Sequence, residues 1–229
     1  MNSNNSKKAQ KNKKWQPFKY FFYDFVKFTG AIPAFIMVRP KFIYENANAK
    51  KHVKGGAMVI CNHTTFMDPI IVHCALWYRR LNFLAAKEVF KSDLSKWFFR
   101  NMHCITVDRE NFNYSTYKTI VERLKQNKLV VIFPEGHIEG KEATLQSFKS
   151  GAAMMACMAG VPVVPYYVAP KKSKWSRTCV VVGEPITPEH SDSPMPDMTS
   201  VDSFNTSLQK KEDELSKIYL KYKKEKNDD

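Results

Sequence analysis

The stretch AMVICNHTTFMDP, residues 57–69, decides how this chain folds. Residues 57–61 are all apolar, which is typical of a strand that is buried on both faces of a sheet. Pro69 is favoured in the first turn of a helix, so a helix is expected to begin there. His63 and Asp68 lie between the two elements, at the sheet edge where α/β folds place their sites.

The same alternation of apolar strands and amphipathic helices continues on the C-terminal side. Hydrophobic patterning predicts strands at 57–61, 82–86, 104–107, 129–133, 161–168 and 178–182, and helices at 69–77, 89–102, 115–126, 148–158 and 204–222. Apolar strands between helices indicate a sheet covered on both faces. We therefore predict one α/β domain over residues 41–229, with a mixed, mostly parallel sheet. Two prolines, Pro162 and Pro165, suit a strand at 161–168 that lies near a sheet edge or forms a loop-like wall.

The N-terminal region divides into two parts. Residues 1–14 carry five lysines, Lys7, Lys8, Lys11, Lys13 and Lys14, and are predicted to be a disordered basic arm. Residues 15–40 place phenylalanines on one face of a helical pattern that Gly30 and Pro33 interrupt, which predicts two short helices or one kinked helix. This amphipathic segment either packs on the core or contacts a membrane surface. No run approaches the roughly 20 apolar residues that span a bilayer.

Charge and cysteine usage narrow the class of protein. Thirty-six Lys and Arg against 22 Asp and Glu give a net charge of +14, which favours a nucleic acid or an anionic membrane as partner. No nucleic-acid-binding signature accompanies that charge, which gathers at the termini and at residues 171–177. The five cysteines are scattered without a C-x-x-C pair, which is typical of a reducing cytosol, and no signal peptide is visible.

The connection after the first strand carries the clearest chemistry. Asp68 can accept a hydrogen bond from Nδ1–H of His63 and so leave Nε2 to take up a proton, as in acyl-transfer sites. A structural histidine beside a helix-capping aspartate would have the same spacing.

Two other strand exits carry charged residues. Val130 to His137 runs from a buried strand into Pro134-Glu135-Gly136, a plausible substrate contact or an ordinary turn. The strand at 104–107 ends in Asp108-Arg109, and an arginine there suits a phosphate or a surface ion pair.

Together these segments resemble the 1-acylglycerol-3-phosphate O-acyltransferase family. Asn62-His63 with Asp68 matches the family's Asn-His-x4-Asp block, and Ile105 to Arg109 is similar to its second block. Phe133 to Gly136 matches Phe-Pro-Glu-Gly, and Val161 to Pro165 matches the fourth block. The four blocks occur in the family's order and cover roughly residues 55–185.

The resemblance implies a function and a set of site residues. His63 would be the general base and Asp68 its orienting partner, with a fatty acyl group moving from acyl-CoA or acyl-carrier protein to 1-acylglycerol-3-phosphate to form phosphatidic acid. The expected substrate-binding residues are Asn62, Lys87, Arg109, Pro134, Glu135 and Gly136. No metal or cofactor is implied. The expected location is the cytoplasmic face of an anionic membrane, as a peripheral protein.

Two departures from the family pattern leave the acceptor open. His137-Ile138 stands where Thr-Arg usually follows Phe-Pro-Glu-Gly, and His103 replaces the glycine that usually opens the second block. Glycerol-3-phosphate, another lysophospholipid or a non-phosphate lipid are the alternative acceptors. A lipid-binding protein without activity and a nucleic-acid binder are the alternatives from other classes.

Overall fold

A computed structural model describes residues 20–108, 114–133, 150–170, 176–189 and 196–226. The predicted basic arm at 1–14 lies outside these residues. The helices are α1 (Phe21–Val38), α2 (Asp68–Ala75), α3 (Asp93–Asn101), α4 (Tyr114–Lys125), α5 (Ser150–Ala159) and α6 (Met198–Glu225). The strands are β1 (Lys41–Tyr44), β2 (Ala57–Cys61), β3 (Leu81–Ala86), β4 (Ile105–Val107), β5 (Leu129–Ile132), β6 (Val163–Val168) and β7 (Cys179–Val182).

The strands form a mixed sheet in the order β1-β7-β6-β2-β5-β3-β4. Strands β2 to β6 all run parallel, with Val59 of β2 opposite Val131 of β5 and Val164 of β6. Strand β7 is antiparallel to β6, and β1 is parallel to β7. The predicted class, an α/β domain with a mostly parallel mixed sheet, is confirmed. The carboxyl ends of β2 to β6 consequently meet at one edge of the sheet.

Each face of the sheet has its own layer of helices. Met58 and Ile60 point toward the core layer shared with α4, α5 and α6, whereas Val59 and Cys61 point toward the layer that contains α2. All residues of β2 are buried, which explains the unbroken apolar run. All five cysteines are free, as their scattered positions predict.

Strand β1 was not predicted from the sequence. Its four residues pair with β7 from Lys41↔Cys179 to Tyr44↔Val182 at the edge of the sheet. The strand is short and only partly buried, and a segment of that kind carries little periodic signal.

The prolines suggested a strand near a sheet edge or a loop-like wall, but β6 is an interior strand that pairs with β2 on one side and β7 on the other. The proline is tolerated where pairing is irregular. The carbonyl of Pro165 accepts from Gly183 N–H at 2.9 Å, and no return bond is needed from a residue without an N–H group. Beyond it, Val163 and Ile186 form an isolated antiparallel bridge and exchange two hydrogen bonds of 2.8 Å.

Several helix boundaries differ from the predicted ones. Helix α3 begins at Asp93 instead of Val89, because Ser92 caps it and exchanges bonds with Ser95 in a capping box. Helix α5 stops before Gly160, whose φ of 62° suits a glycine at a helix end. Helix α6 extends on both sides of its predicted range, from Met198 to Glu225.

Helix α1 is one continuous helix from Phe21 to Val38 that contains Pro33, so the predicted alternative of two short helices is wrong. It is long and apolar enough to cross a membrane by length and composition alone, so the expectation that no such segment exists is wrong. The sequence misleads because Asp24 and Lys27 interrupt the apolar run, whereas in the structure both side chains contact the domain. Asp24 forms an ion pair with Arg80 at 2.6 Å.

The orientation of α1 on the domain is inverted relative to an ordinary amphipathic helix. The buried Tyr23 hydroxyl accepts from Leu81 N–H at 2.7 Å, and Lys27 Nζ donates to the Arg79 carbonyl. The exposed large side chains of the helix are Phe21, Phe25, Phe28, Ile32, Phe35, Ile36 and Met37. The polar side chains therefore face the protein and an apolar face points outward.

Candidate active site

The sequence-predicted residues that the structure describes lie along the carboxyl edge of the parallel strands. His63 follows β2, Lys87 follows β3, Asp108 follows β4 and Phe133 follows β5. Parallel pairing of these four strands brings their ends to the same edge, which is where open α/β sheets bind ligands.

Asp68 is completely buried at the first turn of α2, and its carboxylate is surrounded by donors. Oδ2 accepts the backbone N–H groups of Thr64 and Thr65 at 2.6 and 2.7 Å. Oδ1 accepts the Thr65 hydroxyl at 2.9 Å. These bonds, together with the positive end of the helix, stabilise a negative charge in a buried position.

His63 completes the set of donors around this carboxylate. Its Nδ1 lies 3.0 Å from Asp68 Oδ2, and its side chain is 14% exposed. Because the carboxylate accepts hydrogen bonds, the geometry assigns the proton of neutral His63 to Nδ1, which leaves Nε2 as the nitrogen that takes up a proton. The predicted pairing of these two residues is thus present in the structure.

The imidazole also has an aromatic neighbour, Phe133, which the sequence named as the first residue of the Phe-Pro-Glu-Gly match but to which it gave no role. The ring of Phe133 stacks on His63, with centroids 4.3 Å apart and an interplanar angle of 24°. Phe133 is the first residue after β5, next to β2 in the sheet, and this adjacency is the signal that could have identified it. The stack and the Asp68 bond together restrict the orientation of the ring.

Asn62 lies beside His63 but directs its side chain into the sheet. Its Nδ2 donates to the Val168 carbonyl at 2.9 Å, and its Oδ1 accepts from Val168 N–H at 2.7 Å. The residue is 4% exposed. These two bonds tie the end of β2 to the end of β6, one residue before His63.

Lys87 forms an ion pair with Asp108, whose Oδ2 lies 2.7 Å from the lysine Nζ. Both side chains are substantially exposed, so this pair contributes little to stability. The predicted substrate contacts Arg109, Pro134, Glu135 and Gly136 lie outside the described residues.

His103, which stands in place of the family's usual glycine, has a φ of 55°. This left-handed conformation is the one that glycine adopts without steric cost. The substitution is therefore accommodated with some backbone strain in the turn before β4, and the ring of His103 packs against Tyr20 with centroids 4.6 Å apart.

A second histidine on α2 is buried away from the sheet edge. His73 lies between the rings of Tyr23 and Phe83. Burial, together with a smaller contribution from the nearby charge of Lys27, lowers the pKa of His73 to about 4. His73 is therefore neutral at cellular pH and contributes to packing.

A metal could be held only by a cluster of suitable side chains. No group of three His, Cys, Asp or Glu residues that could hold an ion occurs in the part of the chain that the structure describes. Of the three histidines His63, His103 and His137, which could be imagined as zinc ligands from the sequence, His137 lies outside that part.

Comparison with known proteins identifies relatives of this arrangement. The model of the Acyltransferase family matches residues 41–169. The 1-acyl-sn-glycerol-3-phosphate acyltransferase of Bacillus subtilis is 30% identical over 136 residues, which cover 57% of this chain and 67% of that protein. The protein of the same name from Streptococcus pneumoniae is 28% identical over 133 residues, which cover 57% of this chain and 48% of that protein.

A solved structure supports the fold. The 1-acyl-sn-glycerophosphate acyltransferase of Thermotoga maritima superimposes with a TM-score of 0.61 at 21% identity, covering 88% of this chain and 80% of that one. The family match spans more than half of the chain and includes His63, Asp68 and the strands that position them. This chain therefore belongs to the Acyltransferase family and is an O-acyltransferase.

Proposed function

We propose that this protein transfers a fatty acyl group from acyl-CoA or acyl-carrier protein to the free hydroxyl of 1-acylglycerol-3-phosphate, forming phosphatidic acid. The observation that carries the proposal is the 3.0 Å contact between His63 Nδ1 and the buried Asp68 carboxylate at the carboxyl edge of the sheet. The names of the relatives from Bacillus subtilis and Streptococcus pneumoniae supply the acceptor.

In the proposed mechanism, Nε2 of His63 removes the proton from the acceptor hydroxyl. The oxygen then attacks the thioester carbonyl and forms a tetrahedral oxyanion. Collapse of that intermediate breaks the C–S bond, and the imidazolium returns its proton to the departing thiolate. Asp68 stabilises the imidazolium electrostatically and keeps the ring in the required tautomer, as a carboxylate does in other histidine-dependent acyl transfers.

Asn62 serves this mechanism by positioning the base. Both polar groups of its side chain are used by the backbone of Val168, so they hold the end of β2 in register with β6. We therefore propose that Asn62 positions His63 and does not contact the substrate directly.

The acceptor phosphate is the least specified part of the proposal. Lys87 lies at the same sheet edge as His63 and forms an ion pair with Asp108. Arg109 directly follows Asp108 in the sequence. A phosphate dianion can compete with the Asp108 carboxylate for Lys87, because both side chains of the pair are accessible. The same reasoning admits glycerol-3-phosphate or another lysophospholipid, which the His137-Ile138 departure motivates.

We also propose that α1 contacts the bilayer as a peripheral element on the cytoplasmic face. Its outward side is apolar, with Phe28 73% and Ile32 70% exposed, whereas its charged residues are paired with the domain. An apolar helical face of this kind lies well in the interfacial region, and each lysine of residues 1–14 adds roughly 1 kcal/mol near an anionic surface.

The decisive test is acyl transfer from labelled acyl-CoA by the purified protein in detergent micelles. 1-Acylglycerol-3-phosphate, glycerol-3-phosphate and lysophosphatidylcholine are supplied in parallel, and the series is repeated with acyl-carrier protein as donor. Product from 1-acylglycerol-3-phosphate supports the proposal. Product only from another acceptor changes the substrate, and no product with any combination favours an inactive lipid-binding relative.

A further inference from the structure

A cavity of about 230 Å³ lies on the α2 side of the sheet, away from the His63 site. Its walls come from the C-terminal end of α2, from strands β1, β6 and β7 and from the end of α1, and include Phe35, Tyr44, Lys50, Trp77, Tyr78 and Tyr166. Neither His63, Asp68 nor Lys87 lines it. The cavity is thus a second candidate binding site.

Tyr166 provides the strongest indication that this cavity takes a ligand. The residue is only 5% exposed, and its hydroxyl makes no hydrogen bond to any described residue. Burial raises the pKa of Tyr166, so the hydroxyl keeps its proton. The hydroxyl is not among the fully buried side-chain atoms that lack a partner, so it is accessible from the cavity that Tyr166 lines and can donate to an acceptor bound there.

Other polar groups of the lining include further donors and cations. Tyr78 uses its oxygen to accept from Val53 N–H at 3.0 Å, so its own proton is left to donate. Lys50 and Lys51 stand at the opening, and no carboxylate occurs among the described residues that line the cavity. Glu184, which precedes the lining residue Pro185 in the sequence, accepts from two asparagine side chains at 2.7 and 2.8 Å. The lining therefore suits an anion rich in hydrogen-bond acceptors.

The position of the cavity indicates where such an anion would come from. Phe35 belongs to the outward apolar face of α1, and Trp77 at the cavity is 60% exposed. Tryptophan favours the level of the head groups at a membrane surface. Ligand pockets usually measure about 300–1,000 Å³, so a cavity of about 230 Å³ admits a head group but not a whole lipid.

We propose that this cavity binds the phosphate of an anionic phospholipid head group, with Tyr166 and Tyr78 donating hydrogen bonds, Lys50 and Lys51 supplying charge, and the acyl chains remaining in the bilayer beside α1. The proposal rests on the membrane contact of α1 but not on acyl transfer. It assigns the protein a lipid site that is separate from the site of chemistry.

The test measures the melting temperature of the full chain in neutral detergent micelles titrated with phosphatidylglycerol or phosphatidylcholine. We expect a saturable rise with phosphatidylglycerol only. Tyr166→Phe removes one hydrogen bond to a charged group and should raise the half-saturating mole fraction about tenfold. Tyr167→Phe, which is 6% exposed on the opposite face, is the matched control and should respond as wild type does.

Further variants separate this site from general charge and from the catalytic centre. Lys50→Gln with Lys51→Gln should weaken the response more than Lys210→Gln with Lys217→Gln, an equal charge change at exposed positions of α6. His63→Ala should keep the full response. An unchanged response in Tyr166→Phe, or the same Tyr166-dependent rise from inorganic phosphate at equal concentration without lipid, would overturn the proposal.

Discussion

The His63 site and the outward face of α1 differ in burial, because the site buries polar side chains whereas α1 exposes apolar ones. At the site, Asp68 is completely buried and accepts hydrogen bonds from His63, Thr64 and Thr65. On α1, large apolar side chains such as Phe28 and Ile32 are mostly exposed to solvent. Buried polar groups are stable only when paired, and large apolar surfaces remain exposed mainly where another surface covers them. The first region is therefore complete within the chain, whereas the second requires a partner.

The largest effect on activity is expected when Asp68 of the His63 site is replaced. Asp68→Asn keeps the shape but can present an NH₂ group to His63, which would favour the wrong tautomer. We expect kcat to fall by roughly 10²–10⁴-fold. Measuring kcat and the melting temperature together tests this, since loss of activity that merely follows unfolding would contradict an electrostatic role.

Removing apolar side chains from the outward face of α1 tests whether that face contacts a membrane. Phe28→Ser with Ile32→Ser should weaken binding to phospholipid vesicles at least tenfold, because burying each side chain is worth about 1.5–3 kcal/mol. Co-sedimentation with vesicles measures this. Leu220→Ser on α6, which is 51% exposed, is the matched control. Equal loss in both proteins would mean that α1 is not the membrane-contact element.

An intermediate effect is expected at Asn62, whose replacement should lower both stability and activity. Asn62→Leu leaves the buried polar groups of Val168 unpaired, at a cost of about 1–3 kcal/mol each, so the melting temperature and kcat should both fall while KM stays unchanged. A higher KM with an unchanged melting temperature would instead indicate substrate contact.

The matched control for Asn62 is Asn82, which is also 4% exposed and donates to the Leu129 carbonyl at 3.0 Å. Asn82 lies near the start of β3, far along the strand from its carboxyl end. Asn82→Leu should lower stability without a specific loss of kcat. A comparable loss of kcat in both variants would contradict the positioning role of Asn62.

The smallest effect concerns His73, which links α1 to the domain. Its pKa in the folded protein is about 4, below the ordinary value of 6.5, so the unfolded chain binds more protons between these values. Stability should consequently decrease as the pH falls from 6.5 toward 4. His73→Phe keeps the aromatic packing and should flatten this decrease in urea titrations at pH 7 and pH 5. An equal decrease in wild type and variant would show that other groups cause it.

The sequence predicts the His63 site much better than it predicts the orientation of α1. Local spacing is enough to pair His63 with Asp68, and buried strands such as β2 and β5 have unmistakable apolar runs. The orientation of α1 depends on contacts with Arg79 and Arg80, which lie more than fifty residues away. No local sequence pattern indicates such contacts. The sequence therefore left open whether the apolar face of the segment packs on the core or contacts a membrane.

Other differences have the same cause. Phe133 reaches His63 only because β5 pairs with β2, and Pro165 lies inside the sheet only because pairing with the chain after β7 is irregular there. Both depend on how distant segments meet. Arg109, Glu135 and the rest of the predicted acceptor contacts stay predictions.

The role of His63 as a general base held by Asp68 can be measured with His63→Ala under saturating acyl-CoA and 1-acylglycerol-3-phosphate. The variant should retain the wild-type melting temperature within a few degrees and still bind vesicles through α1. Its kcat should fall by roughly 10²–10⁴-fold, the usual contribution of a positioned base. A folded, membrane-bound His63→Ala protein that transfers acyl groups at the wild-type rate would contradict the account.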